Sequence, residues 1–518
     1  MAKTSKHPAG LYLLFSTEMA ERFSYFGMRA IFILYMTKIL MMNDALANQI
    51  YGSYTGLVYL TPLIGGIISD RYWGNRRSIF VGQILMAAGQ FMMFLSASLT
   101  SQTNLSIALM FAALALIICG NGFFKPNIST MVGDLYDPND KRRDGAFTIF
   151  YMGINIGAFF APLVCGQLAE IDYKWGFLAS SVAILMSLVI FALLKNKLLV
   201  TPEGRQVGIP PVRQKTTPTD KATATEMATA ATNKKTSTLQ AILCIVGFLI
   251  LGAIIAYTTD DIIQGAILSA CVMMPVYIII DKSLTSVERR HIIVIYIIAF
   301  FVIFFWSAYE QAGASLTLFT DRNIDRKFWG WTMPTAWAQS FNAFFVVALA
   351  PVFAALWTWL DKHRLEPSSP AKQAIGLLLL SIGYGVIAIG VRGVDSTTKI
   401  SMFWLVSLYF IHTCGELSLS PIGLSMVTKL SPVRLSSLLM GVWYLSNAAA
   451  NKLAGTLSSL MPQFDETTGE IIKTSSLFGW QITSLYDFFI LFVGMSGVAG
   501  IILLIISPWL NRMMKVTE

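Results

Sequence analysis

The sequence predicts an all-α membrane protein of fourteen transmembrane helices, arranged as two six-helix bundles with an extra helix pair between them. Three observations predict it. Apolar runs of about 20 residues or more recur along the whole chain, each long enough to cross roughly 30 Å of hydrocarbon. Charged residues make up only 13% of the chain against 55% hydrophobic, with a mean hydropathy of +0.61, which excludes a soluble protein. The long polar stretch 198–238 divides the runs into six before it and eight after it. Unbroken apolar runs satisfy their backbone hydrogen bonds as helices, and the period-two alternation of an outer-membrane barrel is absent.

The first span, 11–39, carries Glu18, Glu21, Arg22 and Arg29. Each charge at bilayer depth costs roughly 2.5 to 3.5 kcal/mol, so all four must face protein or water. At about 100° per residue, positions 18, 21, 22, 25 and 29 fall on one helical stripe, which makes that stripe a candidate site. Spans follow at 47–69, 78–98, 104–132, 144–168 and 175–197. The stretch 198–238 is rich in Thr, Pro, Ala and Lys and reads as a flexible aqueous connection. Beyond it lie 239–257 and 263–281, then 290–318, 332–360, 371–391, 399–428, 435–461 and 483–509. The expected division is therefore 1–197 as one six-helix bundle, 198–238 as linker, 239–287 as an inserted helix pair peripheral to the two bundles, and 288–518 as the second bundle.

Orientation follows from Lys and Arg in alternate loops. The side of the N-terminus holds Arg71, Arg76, Arg77, Arg142, Arg143, Arg289, Arg290, Lys362, Arg364, Lys429, Arg512 and Lys515, and the other side has few. The positive-inside rule makes both termini and the linker cytoplasmic, as an even number of spans requires. An inner membrane, with the lipid bilayer as solvent, is the expected location. The net charge of +9 sits in these short loops, so membrane orientation explains it better than nucleic acid. Met1 to Gly10 is polar and no small-residue cleavage site follows, so the first helix reads as uncleaved. The five cysteines lie in apolar runs without CxxC spacing, which indicates neither disulfides nor a metal site.

Motifs narrow the function. The first inner loop reads Gly65-Gly66-Ile67-Ile68-Ser69-Asp70-Arg71-Tyr72-Trp73-Gly74-Asn75-Arg76-Arg77. Asp70 can accept hydrogen bonds or pair with an arginine such as Arg71, forming a latch that closes the cytoplasmic side, or the loop is a basic turn that only sets topology. This motif and the plan of two six-helix halves around a cytoplasmic linker resemble the major facilitator superfamily, whose substrate site lies between the halves. Gly153 and Gly157 have the spacing of close helix contacts, with Asn155 between them. That run, the Glu18-Met-Ala-Glu21-Arg22-Phe23-Ser24-Tyr25 run and Gly122-Phe123-Phe124-Lys125-Pro126-Asn127 closely resemble the proton-dependent oligopeptide transporter family, over the whole chain and including the helix pair of bacterial members.

The resemblance implies proton-coupled symport of di- and tripeptides by alternating access, with protons and no other cofactor. It implies that Lys125 and Arg29 hold the peptide carboxylate, with Tyr25, Tyr59 and Asn155 in the same pocket. Glu416 would take the peptide ammonium and pair with Lys125 in the inner gate, while Glu310 would pair with Arg29 in the outer gate. Glu18, Glu21, Arg22 and Glu310 are the implied proton-coupling group, and Asn342, Trp443 and Ser446 further pocket candidates. From the residues alone, Lys125 needs a carboxylate partner or a bound anion, and both glutamates also fit buried structural pairs. Pro421 can bend its helix because its ring removes an internal hydrogen bond. Two departures stand out: Phe26 replaces a frequent second tyrosine, and none of the four histidines lies in the second span, so carboxylates rather than histidine should carry the proton. A sister transporter of nitrate, a drug or a peptide-like solute is the alternative on the same fold. An enzyme is not expected, since HExxH, GxSxG and Walker lysine motifs are absent.

Overall fold

Charge-poor runs of this length become helices in the computed structural model, which describes residues 7–137, 140, 142–201, 204–210, 224–281, 283–394, 398–432, 435–465 and 468–515. The side chains at 144, 224–239, 421, 424, 428, 436 and 437 also lie outside that description. The first bundle comprises α1 (Ala9–Leu34), α2 (Asp44–Ile68), α3 (Asn75–Ser98), α4 (Thr103–Asp134), α5 (Arg142–Ala169) and α6 (Tyr173–Leu198). The extra pair is α7 (Ala224–Thr259) and α8 (Ile262–Ile279). The second bundle comprises α9 (Ser286–Tyr309), α10 (Ser315–Asn323), α11 (Ser340–Lys362), α12 (Ser369–Val391), α13 (Met402–Leu430), α14 (Ser436–Ser458) and α15 (Leu485–Met514). Among the described residues, eleven helical segments are long and apolar enough to cross a membrane; α1, α2 and α14, which carry more polar side chains, complete the fourteen crossings. An even number of crossings leaves both ends of the chain on one side, termed the inner side.

Local chemistry sets the helix boundaries. Asn43 caps α2 by accepting from Leu46 N at 2.8 Å, and Thr285 with Glu288 forms a reciprocal capping box that starts α9. The ninth crossing is broken: α9 ends at Tyr309, a 3-10 turn spans Glu310–Gly313, and α10 resumes at Ser315. Short strands, such as Ile324–Asp325 paired parallel with Ile400–Ser401, tie outer loops together.

The helices of 1–198 pack on one another through α1 with α5 and α6, α3 with α4 and α6, and α2 with α4. At the α1–α5 crossing a Cβ on Gly157 would lie 2.4 Å from Met19 O, so only glycine allows this approach. The second bundle packs through α12 with α13 and α15, and α9 with α14 and α15. Across the two, α2 runs along α14, and α5 meets α11. On the outer half of that α2–α14 seam a Cβ on Gly52 would lie 2.7 Å from Gly455 Cα.

Two expectations need correction. The start of the connection after α6 is held against the first bundle: Val200 bridges Gln206, Leu199 and Val207 are buried, and Arg76 N donates to Gly208 O at 2.9 Å. The physical reason is Arg76, whose guanidinium reaches Leu199 O (2.7 Å), Val207 O (3.0 Å), Asn196 Oδ1 (3.2 Å) and Gln206 Oε1 (3.3 Å). The inserted pair is also peripheral only in part. None of the apolar window of α7 is buried, whereas α8 touches α14, α2 and α9.

Candidate functional site

The stripe on α1 is buried against the other helices, as its charge demands. Arg22 Nε lies 3.0 Å from Glu18 Oε1 and 2.6 Å from Glu21 Oε2, and all three side chains are buried. Asn121 of α4 donates to the other oxygen of Glu21 at 2.9 Å. A guanidinium shared by two carboxylates, with a neutral amide as third partner, leaves Glu18 Oε2 with neither a hydrogen bond nor an ion-pair contact among the described residues. Such a cluster can exchange a proton without losing its arginine.

One helical turn further on, Tyr25 is buried against Phe26 and Tyr54. Arg29 then crosses the bundles: it donates to Tyr51 of α2 and to the carboxylate of Glu310, where the broken crossing begins. Lys125 of α4 lies with its ammonium 3.8 Å above the Tyr59 ring, a cation–π contact, and makes no ion pair among the described residues.

A cavity between the bundles is lined by Arg29, Tyr59 and Asn155 from one side and by Glu310, Asn342 and Glu416 from the other. Tyr151, Trp306, Tyr309, Tyr409, Gln339 and His412 complete much of its wall. Glu416 accepts from the Tyr309 hydroxyl at 2.5 Å and from Asn342 Nδ2 at 2.9 Å, with no cation on it among the described residues. Asn155 donates to Tyr151 O of its own helix at 2.9 Å. Aromatic rings and amides around opposite charges give a tolerant but polar-ended chamber.

The outer side is tied across the bundles. Besides Arg29 with Glu310, Lys38 pairs with Asp321 at 2.7 Å and Asp44 pairs with Arg322. On the inner side, Lys125 and Glu416 are not paired, and Asp70 and Arg71 are exposed. Trp443 and Ser446 do not line the cavity. The Trp443 ring covers Gly423 of α13, and Ser446 bonds back to Trp443 O of its own helix at 2.7 Å. Helix α13 continues through position 421, while the side chain of Pro421 lies outside the described residues.

Sequence reasoning missed Tyr309, Tyr51 and Asn121. Each had a signal: Tyr309 adjoins Glu310, Tyr51 lies eight positions before Tyr59, and Asn121 lies four before Lys125 on the same face.

Comparison with known proteins accords with this arrangement. A family model described as the POT family matches residues 76–477. The chain is 34% identical over 462 residues to the peptide transporter YePEPT of Yersinia enterocolitica, covering 87% of each protein. It is 33% identical over 469 residues to a di-/tripeptide transporter of Lactococcus lactis, covering 88% of this chain and 89% of that one. A crystal structure of peptide transporter POT in complex with sulfate superposes with a TM-score of 0.79 at 33% identity, covering 99% of this chain and 97% of the other. A POT family transporter in complex with 5-aminolevulinic acid gives 0.77 at 30% identity, covering 98% of each chain. The fold is that of the major facilitator superfamily, and the chain belongs to the proton-dependent oligopeptide transporter (POT) family.

Proposed function

We propose that this protein is a proton-coupled symporter of di- and tripeptides working by alternating access in a bacterial inner membrane. The observation that carries the reading is the cavity wall: Arg29 on one bundle faces Glu416 on the other. Peptides of any side chain share a carboxylate and an ammonium at nearly fixed spacing, so opposite charges on opposite bundles measure length rather than sequence. Glu416, held by two neutral donors, is ready for an ammonium; Arg29 and Lys125 would share the carboxylate, beside Tyr59 and Asn155.

Protonation of Glu310 would release Arg29 to the peptide and weaken the outer tie, since a neutral carboxyl no longer holds a guanidinium. Glu18, Glu21 and Arg22 are read as the cluster that returns the proton to the inner side. The Lys and Arg bias supports a cytoplasmic inner side. Ties on the outer side, with Lys125 and Glu416 in no ion pair among the described residues, fit a state open to the cytoplasm. The domain division into 1–197, 198–238, 239–287 and 288–518 follows from the same cycle, with the two bundles as moving halves.

The test is uptake of dialanine into liposomes under an imposed proton gradient, with Glu21→Gln alongside the wild-type protein. Wild type should accumulate intact dialanine. Glu21→Gln should retain peptide counterflow and lose accumulation. A variant that still concentrates dialanine removes Glu21 from coupling, and a wild-type protein that ignores dialanine removes the peptide reading.

A further inference from the structure

The transport cycle leaves Lys452 without a task, yet its side chain is completely buried in α14, 0% exposed, on the outer half of the molecule. Among the described residues, two groups meet its ammonium. Ser53 of α2 accepts from it at 2.7 Å, and the carboxylate of Asp261 pairs with it. Asp261 belongs to neither six-helix bundle; it caps α8 of the inserted pair.

The local chain is built to deliver that carboxylate. Asp260 adopts a left-handed conformation (φ 53°) that turns the chain sharply between α7 and α8. The two oxygens of Asp261 then divide their work. One accepts from Gln264 N at 2.9 Å as the helix cap, and the other faces Lys452.

Lys452 lies one turn from Gly455, so its ammonium sits in the α2–α14 seam where the two backbones come closest. That seam must part when the outer side opens. Helix α8 is fastened to α14 through Thr456 Oγ1 to Gln264 Oε1 at 2.7 Å and Cys271 Sγ to Leu445 O at 3.5 Å. On opening, Lys452 keeps Asp261 and loses Ser53 together with its burial. An ammonium removed from water is costly unless a fixed carboxylate meets it, so the closed seam needs Asp261 more than the open one does.

We infer that Asp261 is a positioning residue of the outer gate: the inserted helix pair supplies the fixed negative charge that allows Lys452 to be buried in the closed α2–α14 seam, and thereby favours the outer-closed state. The inference rests on the alternating-access reading. It is tested by hydrogen–deuterium exchange on the purified full-length chain, which needs no substrate and so is independent of whether dialanine is the cargo.

Asp261→Asn is the informative variant, because asparagine keeps the cap on α8 and removes only the charge. The ratio of outer-closed to outer-open protein should fall by about tenfold. Deuterium uptake should then rise over the outer ends of α2 and α14 and fall over the inner ends of α4 and α13. Adding Lys452→Met, which removes the buried charge, should return both regions to wild-type exchange. Increased exchange on both sides, unchanged exchange, or failure of Lys452→Met to restore it would overturn the inference, since a merely structural brace gives no opposite changes and no rescue.

Discussion

Glu416, the proposed site for the peptide ammonium, is held by neutral neighbours. The Tyr309 hydroxyl and the Asn342 amide both donate to one carboxylate oxygen, fixing its direction without satisfying its charge. Glu416→Gln keeps the shape and removes the charge. It should raise the Km for dialanine at least about tenfold, the scale of a lost charged hydrogen bond, and abolish the preference for dialanine over its N-acetyl form. Competition uptake with both compounds checks this; a variant that still prefers the free amine would assign the ammonium to another group. Glu416 itself was legible in the sequence because a carboxylate on a membrane span needs a reason. Tyr309 was not, because a tyrosine on a span is unremarkable until its hydroxyl is seen pointing at a charge. Trp443 and Ser446 stand apart from the cavity wall: the Trp443 ring lies over Gly423, and Ser446 bonds within its own helix.

Among the elements, the segment after α6 departs most from its composition. Thr, Pro and Lys describe a chain with little to bury, but one guanidinium with several backbone and amide oxygens within reach fixes it. Arg76→Ala should release residues 199–210 and destabilise the first bundle by about 1–3 kcal/mol, the cost of orphaned buried acceptors. Limited proteolysis should then cut between α6 and α7 several-fold faster, with a melting temperature lower by a few degrees. Equal cleavage of both proteins would show that the segment holds without Arg76. The crossings themselves were legible from run length, and α1 was legible despite its charges because they share one stripe. The break after Tyr309 was not, since its turn contains no proline and only Gly313. Nor was the docking of α8, which depends on Asp261 and Lys452, far apart in sequence, meeting in space.

At the scale of the molecule, the two bundles are held on the outer side by ion pairs from α10 to the first bundle: Asp321 to Lys38 and Arg322 to Asp44. A bridge at this point should arrest the cycle. With exposed Cys119 replaced by alanine, Lys38→Cys with Asp321→Cys joined by a short reducible bifunctional thiosulfonate should lose both counterflow and gradient-driven uptake. Reductant should restore both. Persisting counterflow would show that the outer side need not open there. Such pairings were beyond sequence reading, which saw two halves and a linker but not which loops meet. The broken ninth crossing carries a last implication. Glu310 is the first residue of the turn between α9 and α10, so the group that holds Arg29 is also part of the joint on which α10 hangs. On the proposed cycle, a proton arriving there would act on lock and hinge in one event, with no relay of motion from pocket to gate.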